Sequence, residues 1–407
     1  MTTGTARTLA ILFLTALVGL TVPLTATELV VWHAYRGKEK AAFEKVVQQF
    51  NQSNGDGVTV KTLAVPYDAY ADKITAAVPR GKGPDVFIFA QDRLGGWIEA
   101  GNTVEPIDFY VDDEIRERFL ERTLEAVTYR DIVYGLPFNF KCITLIYNKK
   151  MITKPPKTTG ELVALAKKHT NAEIGQYGLA YAYSDYFYHA ALMNGFGGGV
   201  FEPGPKATIN RPENLKAIEL MLKWYKDDKI MPGEPSTALI TSLFNEGKAA
   251  MIFNGPWFLG EIESGVDYGL AVLPTIDEAG GAPMRPWMTI EGLYVAAPSK
   301  HKEEAFDFIN YLTGVEAAAV MAVEGRQLPA NRNVYKSPKI LHDPIMKVFL
   351  LQGKQAEPMP NLAEMSIFWS PATTAMNTIV KGTANPKAAM DKAQVQVEKA
   401  VAKLRGQ

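Results

Sequence analysis

The chain has 407 residues, 47% of them hydrophobic and 21% charged, with 43 basic against 44 acidic side chains. That composition excludes a disordered chain, and a formal net charge of -1 supplies no basic field for nucleic acid or an anionic membrane surface. The length suits two or three domains.

Arg7 precedes the apolar run "TLAILFLTALVGLTVPLTA", which ends in small residues. This reads as a secretory signal peptide over residues 1–26, because Pro23 cuts the run short of the roughly 20 apolar residues that a membrane span needs. No cysteine lies near the cut to carry a lipid. The single cysteine, Cys142 in "CITLIYN", rules out a disulfide within the chain and reads as a small buried hydrophobe.

"ELVVWHAY" reads as a first strand, followed by a helix whose Phe43, Val46, Val47 and Phe50 form one apolar stripe. "VTVKTLAV" alternates as a second strand, "YDAYADKITAAVPRG" is a second helical pattern and "DVFIFA" is a third strand. Strand and helix alternate, which predicts a parallel sheet. Beyond Gly101 the order is less regular, with two strands in "IVYGLPFNFKCITLIYNKKM", helices through much of 158–260, strand character in "KAAMIFNGPW", "DYGLAVLPT" and "TIEGLYVAA", and a helical last 110 residues that include "PATTAMNTIVKG".

Ligands in open α/β sheets sit outside the carboxyl ends of the strands, and Asp92 and Arg93 follow the third strand at such a place. The bland alternative makes Asp92 a helix N-cap and Arg93 a solvated partner. The residues alone leave both open.

Six segments, "KGPDVFIFAQDRLGGWIEAG", "YGLPFNFKCITLIYNKKMI", "PPKTTGELVALAKK", "LFNEGKAAMIFNGPW", "YGLAVLPT" and "MPNLAEMSIFWSPATTAMNTIVKG", together resemble the periplasmic maltose/maltodextrin-binding proteins of ABC importers. The resemblance covers nearly all of the chain after residue 26. It implies an α/β, two-lobe periplasmic binding protein fold of type II, with discontinuous lobes joined by hinge strands. The lobes expected are 27–138 with 292–328 and 139–291 with 329–407, and the crossings fall near 139–143, 287–291 and 328–331. The implied partners are a sugar ligand, the membrane permease subunits of an ABC importer and, as a further candidate, a chemoreceptor. The implied protein is a monomer of the periplasm that binds no nucleic acid, cofactor or metal.

A pyranose has apolar C–H faces that rings can cover and a hydroxyl rim that charged planar groups can satisfy. Matched to the family's site, Asp92 and Arg93 are the acid and base for hydroxyls, while Phe89, Tyr186, Trp257 and Trp369 are the stacking rings. Four polar contacts depart from the family pattern, the first of them a pair: Arg36 and Gly37 replace an Asp-Lys pair, Lys141 replaces a glutamate, Ser184 with Asp185 beside it replaces another, and Thr373 replaces an arginine. Glu291 and His33 are candidates to compensate.

Two other functions compete. An exported glycosidase needs paired carboxylates, which 44 acidic residues cannot single out, and no G-x-S-x-G, H-E-x-x-H or P-loop is present. The same two-lobe fold could instead hold a polyamine, a metal ion or an organic anion. The "GPW" and "FW" tryptophans favour a sugar over these.

Overall fold

The computed structural model describes residues 1, 27–55, 57–202, 206–233 and 235–406. The expected signal peptide, apart from Met1, lies outside the described residues. The chain forms β1 (Thr27–His33), α1 (Gly37–Ser53), β2 (Val58–Ala64), α2 (Tyr67–Ala77), β3 (Val86–Ala90) and α3 (Leu94–Ala100). There follow β4 (Gly135–Lys141), β5 (Thr144–Asn148), β6 (Tyr177–Ala180), α4 (Tyr186–Gly195), β7 (Ala249–Asn254), β8 (Tyr268–Ala271), β9 (Trp287–Val295), β10 (Leu328–Pro329), β11 (Glu357–Pro358) and α5 (Met365–Val380).

Two separate sheets organise two lobes. The first runs β2-β1-β3-β9-β4-β10, with β11 against the start of β9, and the second runs β8-β5-β7-β6. Strands β1, β2 and β3 are parallel, as the alternation of strand and helix predicts. The other half of the first sheet is not: β9 is antiparallel to both β3 and β4. The reason is the route of the chain, since β9 returns from the second lobe and slots between β3 and β4 without the helical crossover that parallel neighbours need. The first sheet keeps the chain through Lys141 and recovers it at Trp287, a few residues away from divisions at 138/139 and 291/292.

Alternation along each strand splits the core. Leu29, Val31, Val86 and Ile88 face α1, whose Phe43, Val46, Val47 and Phe50 are buried as the stripe predicts. Each such side chain contributes about 1.5–3 kcal/mol on burial. Phe87 and Phe89 point the other way, into a core that contains Trp97 and Tyr294 and continues into the second lobe at Leu145, Ile146, Leu179 and Phe253. Cys142 is fully buried there, and burial pushes its thiol up to about 12.

One helix begins earlier than the sequence suggests. The pattern "PATTAMNTIVKG" places a helix start at Pro371, but α5 already starts at Met365 and carries Pro371 in its interior. Burial of Met365 and Phe368 holds the first turns together despite the missing N–H of proline. Trp369 therefore sits on the helix and not in a loop before it.

The segment leading into α5 is pinned against α3. The Gly95 N–H donates to Asn361 O at 3.1 Å, and a Cβ on Gly95 would lie 2.4 Å from that oxygen and 2.5 Å from Ala363 N. Both obstacles are backbone, so neither can swing aside. Gly95→Ala is expected to lower stability by about 1–3 kcal/mol, the usual cost of overpacking, as measured by denaturant unfolding.

Candidate functional site

Strand β3 ends in a short 3-10 turn, Gln91–Arg93. Gln91 is fully buried and fixes that turn from two sides: its amide donates to Met359 O at 2.9 Å and its carbonyl accepts from Ile290 N at 2.7 Å. Asp92 then emerges buried where the turn packs against α5. Trp369 of α5 donates from its indole N–H to Asp92 Oδ2 at 3.0 Å, and Arg93 Nε lies 3.2 Å from the same oxygen. The Arg93 contact is a close ion pair without the alignment of a hydrogen bond. Asp92 caps no helix, because neither the 3-10 turn nor α3 has a side-chain cap, so the N-cap alternative is not realised.

Burial pushes the Asp92 carboxyl from 3.8 up to about 6, with Arg93 and the Trp369 indole pulling against it. A carboxylate that remains inside the protein at neutral pH with two partners on one oxygen is a strong acceptor for further donors.

The predicted rings divide into two groups. Trp369 and Trp257 are half-buried, each with ring surface left open. Trp369 packs edge-on against Trp287 at 5.7 Å and Phe368 at 5.5 Å. Trp257 follows β7 in the 3-10 turn Pro256–Gly260, beside Phe187 at 5.9 Å. Its ring folds back over Gly255, where a Cβ would come within 2.2 Å of it. Phe89 and Tyr186, by contrast, are buried. Tyr186 stands behind the aromatic wall, edge-on to Phe368 at 5.0 Å, and the half-exposed Phe187 next to it is the ring beside Trp257.

The remaining polar candidates mostly engage one another. Lys141 Nζ lies 2.9 Å from Glu291 Oε1 and 3.4 Å from Glu39 Oε1, while the Tyr35 hydroxyl donates to Glu291 Oε2 at 3.0 Å. Gln327 also donates to Glu39. Burial lowers the Lys141 pKa, but Glu291 and Glu39 together outweigh it and hold the ammonium above its usual range. His33 is fully buried, accepts from Tyr35 N at 3.0 Å, and is held down at about 4 by burial and Lys40, so it is neutral. Arg36 is exposed and reaches across the cleft to Glu261 at 2.6 Å, beside the turn that carries Trp257.

Asp185 caps α4 by accepting from Phe187 N at 2.9 Å. It is exposed, and desolvation by surrounding protein raises its pKa. Sequence reasoning passed over Glu39, Glu261 and Tyr67. Tyr67 alone carried a readable signal, as an aromatic residue directly beyond the carboxyl end of the second parallel strand.

Among the described residues no group of three or more His, Cys, Asp or Glu side chains is placed to hold a metal ion. Two shallow depressions, lined by residues including Arg116 and Arg332 and by residues including Tyr110 and Lys302, lie away from the cleft and hold none of its residues.

The pattern "Bacterial extracellular solute-binding protein" matches residues 35–319. A maltotriose-binding protein of Pyrococcus abyssi is 30% identical over 87% of this chain and 78% of its own length. A galactooligosaccharide-binding protein of Bacillus subtilis is 29% identical over 90% and 88%. Among solved structures, the maltose/maltodextrin-binding domain of Bdellovibrio bacteriovorus bound to maltotriose superposes with a TM-score of 0.85, at 26% identity over 92% of this chain and all of that one. A cleft between two α/β lobes, lined by half-open rings and a buried carboxylate paired with a partly exposed arginine, defines a binding protein. The chain belongs to the family of bacterial extracellular solute-binding proteins.

The elevated pKa of Asp92 has a consequence for the empty protein. Its folded value lies above its unfolded one, so its contribution to stability is fully present below about 3.8 and is lost as pH rises through about 6. The loss is at most about 3 kcal/mol. Asp92→Asn is therefore expected to be more stable than wild type at pH 7, with the gap closing towards acid, as read from unfolding midpoints across pH.

Proposed function

We propose that this protein captures a maltodextrin-type oligosaccharide and delivers it to the membrane permease subunits of an ABC importer. It works in the periplasm after removal of residues 1–26, as a monomer without enzymatic activity of its own, and a chemoreceptor is a second candidate partner. The observation that carries this reading is the Asp92, Arg93 and Trp369 cluster: a carboxylate held by a half-open indole offers a hydroxyl acceptor and an apolar platform at one point. The ligands for which the relatives are named, maltotriose and galactooligosaccharide, support a sugar over a polyamine or an organic anion.

In this reading Asp92 Oδ1 and the outer guanidinium edge of Arg93 receive the hydroxyl rim. Trp369 and Trp257 cover C–H faces, and Asp185 adds an acceptor from the opposite wall. Glu291 and Lys141 act from the floor by fixing each other, and Arg36 with Glu261 closes the cleft mouth. Tyr186 and Phe89 support the rings in front of them. The lobes divide as 27–138 with 292–328 and 139–291 with 329–407, with bending where β4, β9 and β10 leave the first sheet.

Isothermal titration with maltotriose, galactooligosaccharide and spermidine tests the reading. Heat from maltotriose with micromolar or tighter affinity supports it, and heat from spermidine alone overturns it. Trp257→Ala is expected to weaken sugar affinity about tenfold or more while the empty protein melts within a few degrees of wild type, since the ring is half-exposed.

A further inference from the structure

Tyr67 opens α2 immediately after Pro66, at the carboxyl end of β2. That end of the sheet is where β3 delivers Asp92 and Arg93, since β1 pairs in parallel with both β2 and β3. Tyr67 is 62% exposed as a residue, and its ring lies parallel to Phe89, with centroids 5.7 Å apart and planes 7° from coincidence. Phe89 is held from behind by the ring edges of Tyr70 at 5.3 Å and Trp97 at 5.5 Å. Trp97 in turn donates its indole N–H to Thr75 Oγ1 of α2 at 3.0 Å.

The result is a layered stack whose inner members are locked and whose outermost face is open. A ring held in this way loses little conformational freedom on binding, which is what a stacking platform needs. Phe89, only 5% exposed, has no face left to offer.

The charges around Tyr67 come from both sides of the cleft. Crowding by protein raises its phenol pKa, and so do Asp92 beyond β3, Glu291 on β9 and Asp185 beside α4, against the opposing effect of Arg93. The phenol is thus neutral, a hydroxyl donor in the neighbourhood of three carboxylates.

We propose that Tyr67, stacked on Phe89, is the sugar-binding ring of the first lobe, taking the C–H face of a pyranose on its open side. The inference rests on the sugar reading above and adds a subsite to it. Trp369 and Trp257 cover sugar faces from α5 and the second lobe, and Tyr67 supplies the opposing surface.

The test is titration of maltotriose into wild type, Tyr67→Ala and Tyr67→Phe, with melting curves of each empty protein. Tyr67→Ala is expected to weaken affinity about tenfold or more with a nearly unchanged melting temperature, and Tyr67→Phe, which keeps the ring, to restore most of that loss. A second readout uses ring-labelled tyrosine: nuclear Overhauser contacts to sugar C–H protons are expected in wild type and are lost from the labelled set in Tyr67→Phe. Wild type that binds maltotriose while Tyr67→Ala keeps its affinity within about threefold overturns this subsite alone. Wild type that binds no sugar overturns the sugar reading and the subsite together.

Discussion

A carboxylate buried at a lobe boundary is costly unless partners hold it, and the rest of this site is arranged around that requirement at Asp92. Its partners come from two places in the chain. Arg93 is its neighbour in sequence, and Trp369 is 277 residues away on a helix that packs with the second lobe. The elements that bring them together are themselves fixed by buried contacts: Gln91 ties the turn to β9 and to Met359, and the close approach at Gly95 seats the segment that leads into Trp369. Removing any one of these would leave the charge less well held without touching it.

The polar residues that depart from the pattern of maltodextrin-binding proteins do not act as isolated substitutions. Lys141 sits between two carboxylates, and Arg36 is matched by Glu261 from the other lobe. Each new positive charge has an acidic partner. Lys141, Glu39 and Glu291 are consequently a closed network, in which a ligand would have to compete with existing ion pairs, whereas the half-buried rings of Trp369 and Trp257 keep exposed surface. The Arg36 pair is largely solvent-exposed and worth about 0.2–1 kcal/mol.

Much of this was legible in the sequence because it is written locally. The stripe of Phe43, Val46, Val47 and Phe50 has helical spacing, "DVFIFA" is a buried run, and the acid-base pair stands directly beyond that strand. The insertion of β9 antiparallel to β3 was not legible, since pairing between residues some 200 positions apart leaves no local signal. Phe89 illustrates the same limit at the site. Its type and position fit a stacking ring, but whether a ring faces the cleft depends on what lies over it, and that is Tyr67 from another element. Trp369 was identified as a ring, yet its second role as donor to Asp92 needed the helix start at Met365 to be known.

The central claim is that the ionised Asp92 carboxylate receives sugar hydroxyls, and the dependence of maltotriose affinity on pH tests it most directly. Sugar bound to the charged form must lose affinity as the pH falls through about 6 and Asp92 takes up a proton. Titration calorimetry of wild type and Asp92→Asn in parallel is predicted to show that decline in wild type, with weaker and nearly flat affinity in the variant. Affinity in wild type that stays level across this range, or an equal decline in the variant, would contradict the account.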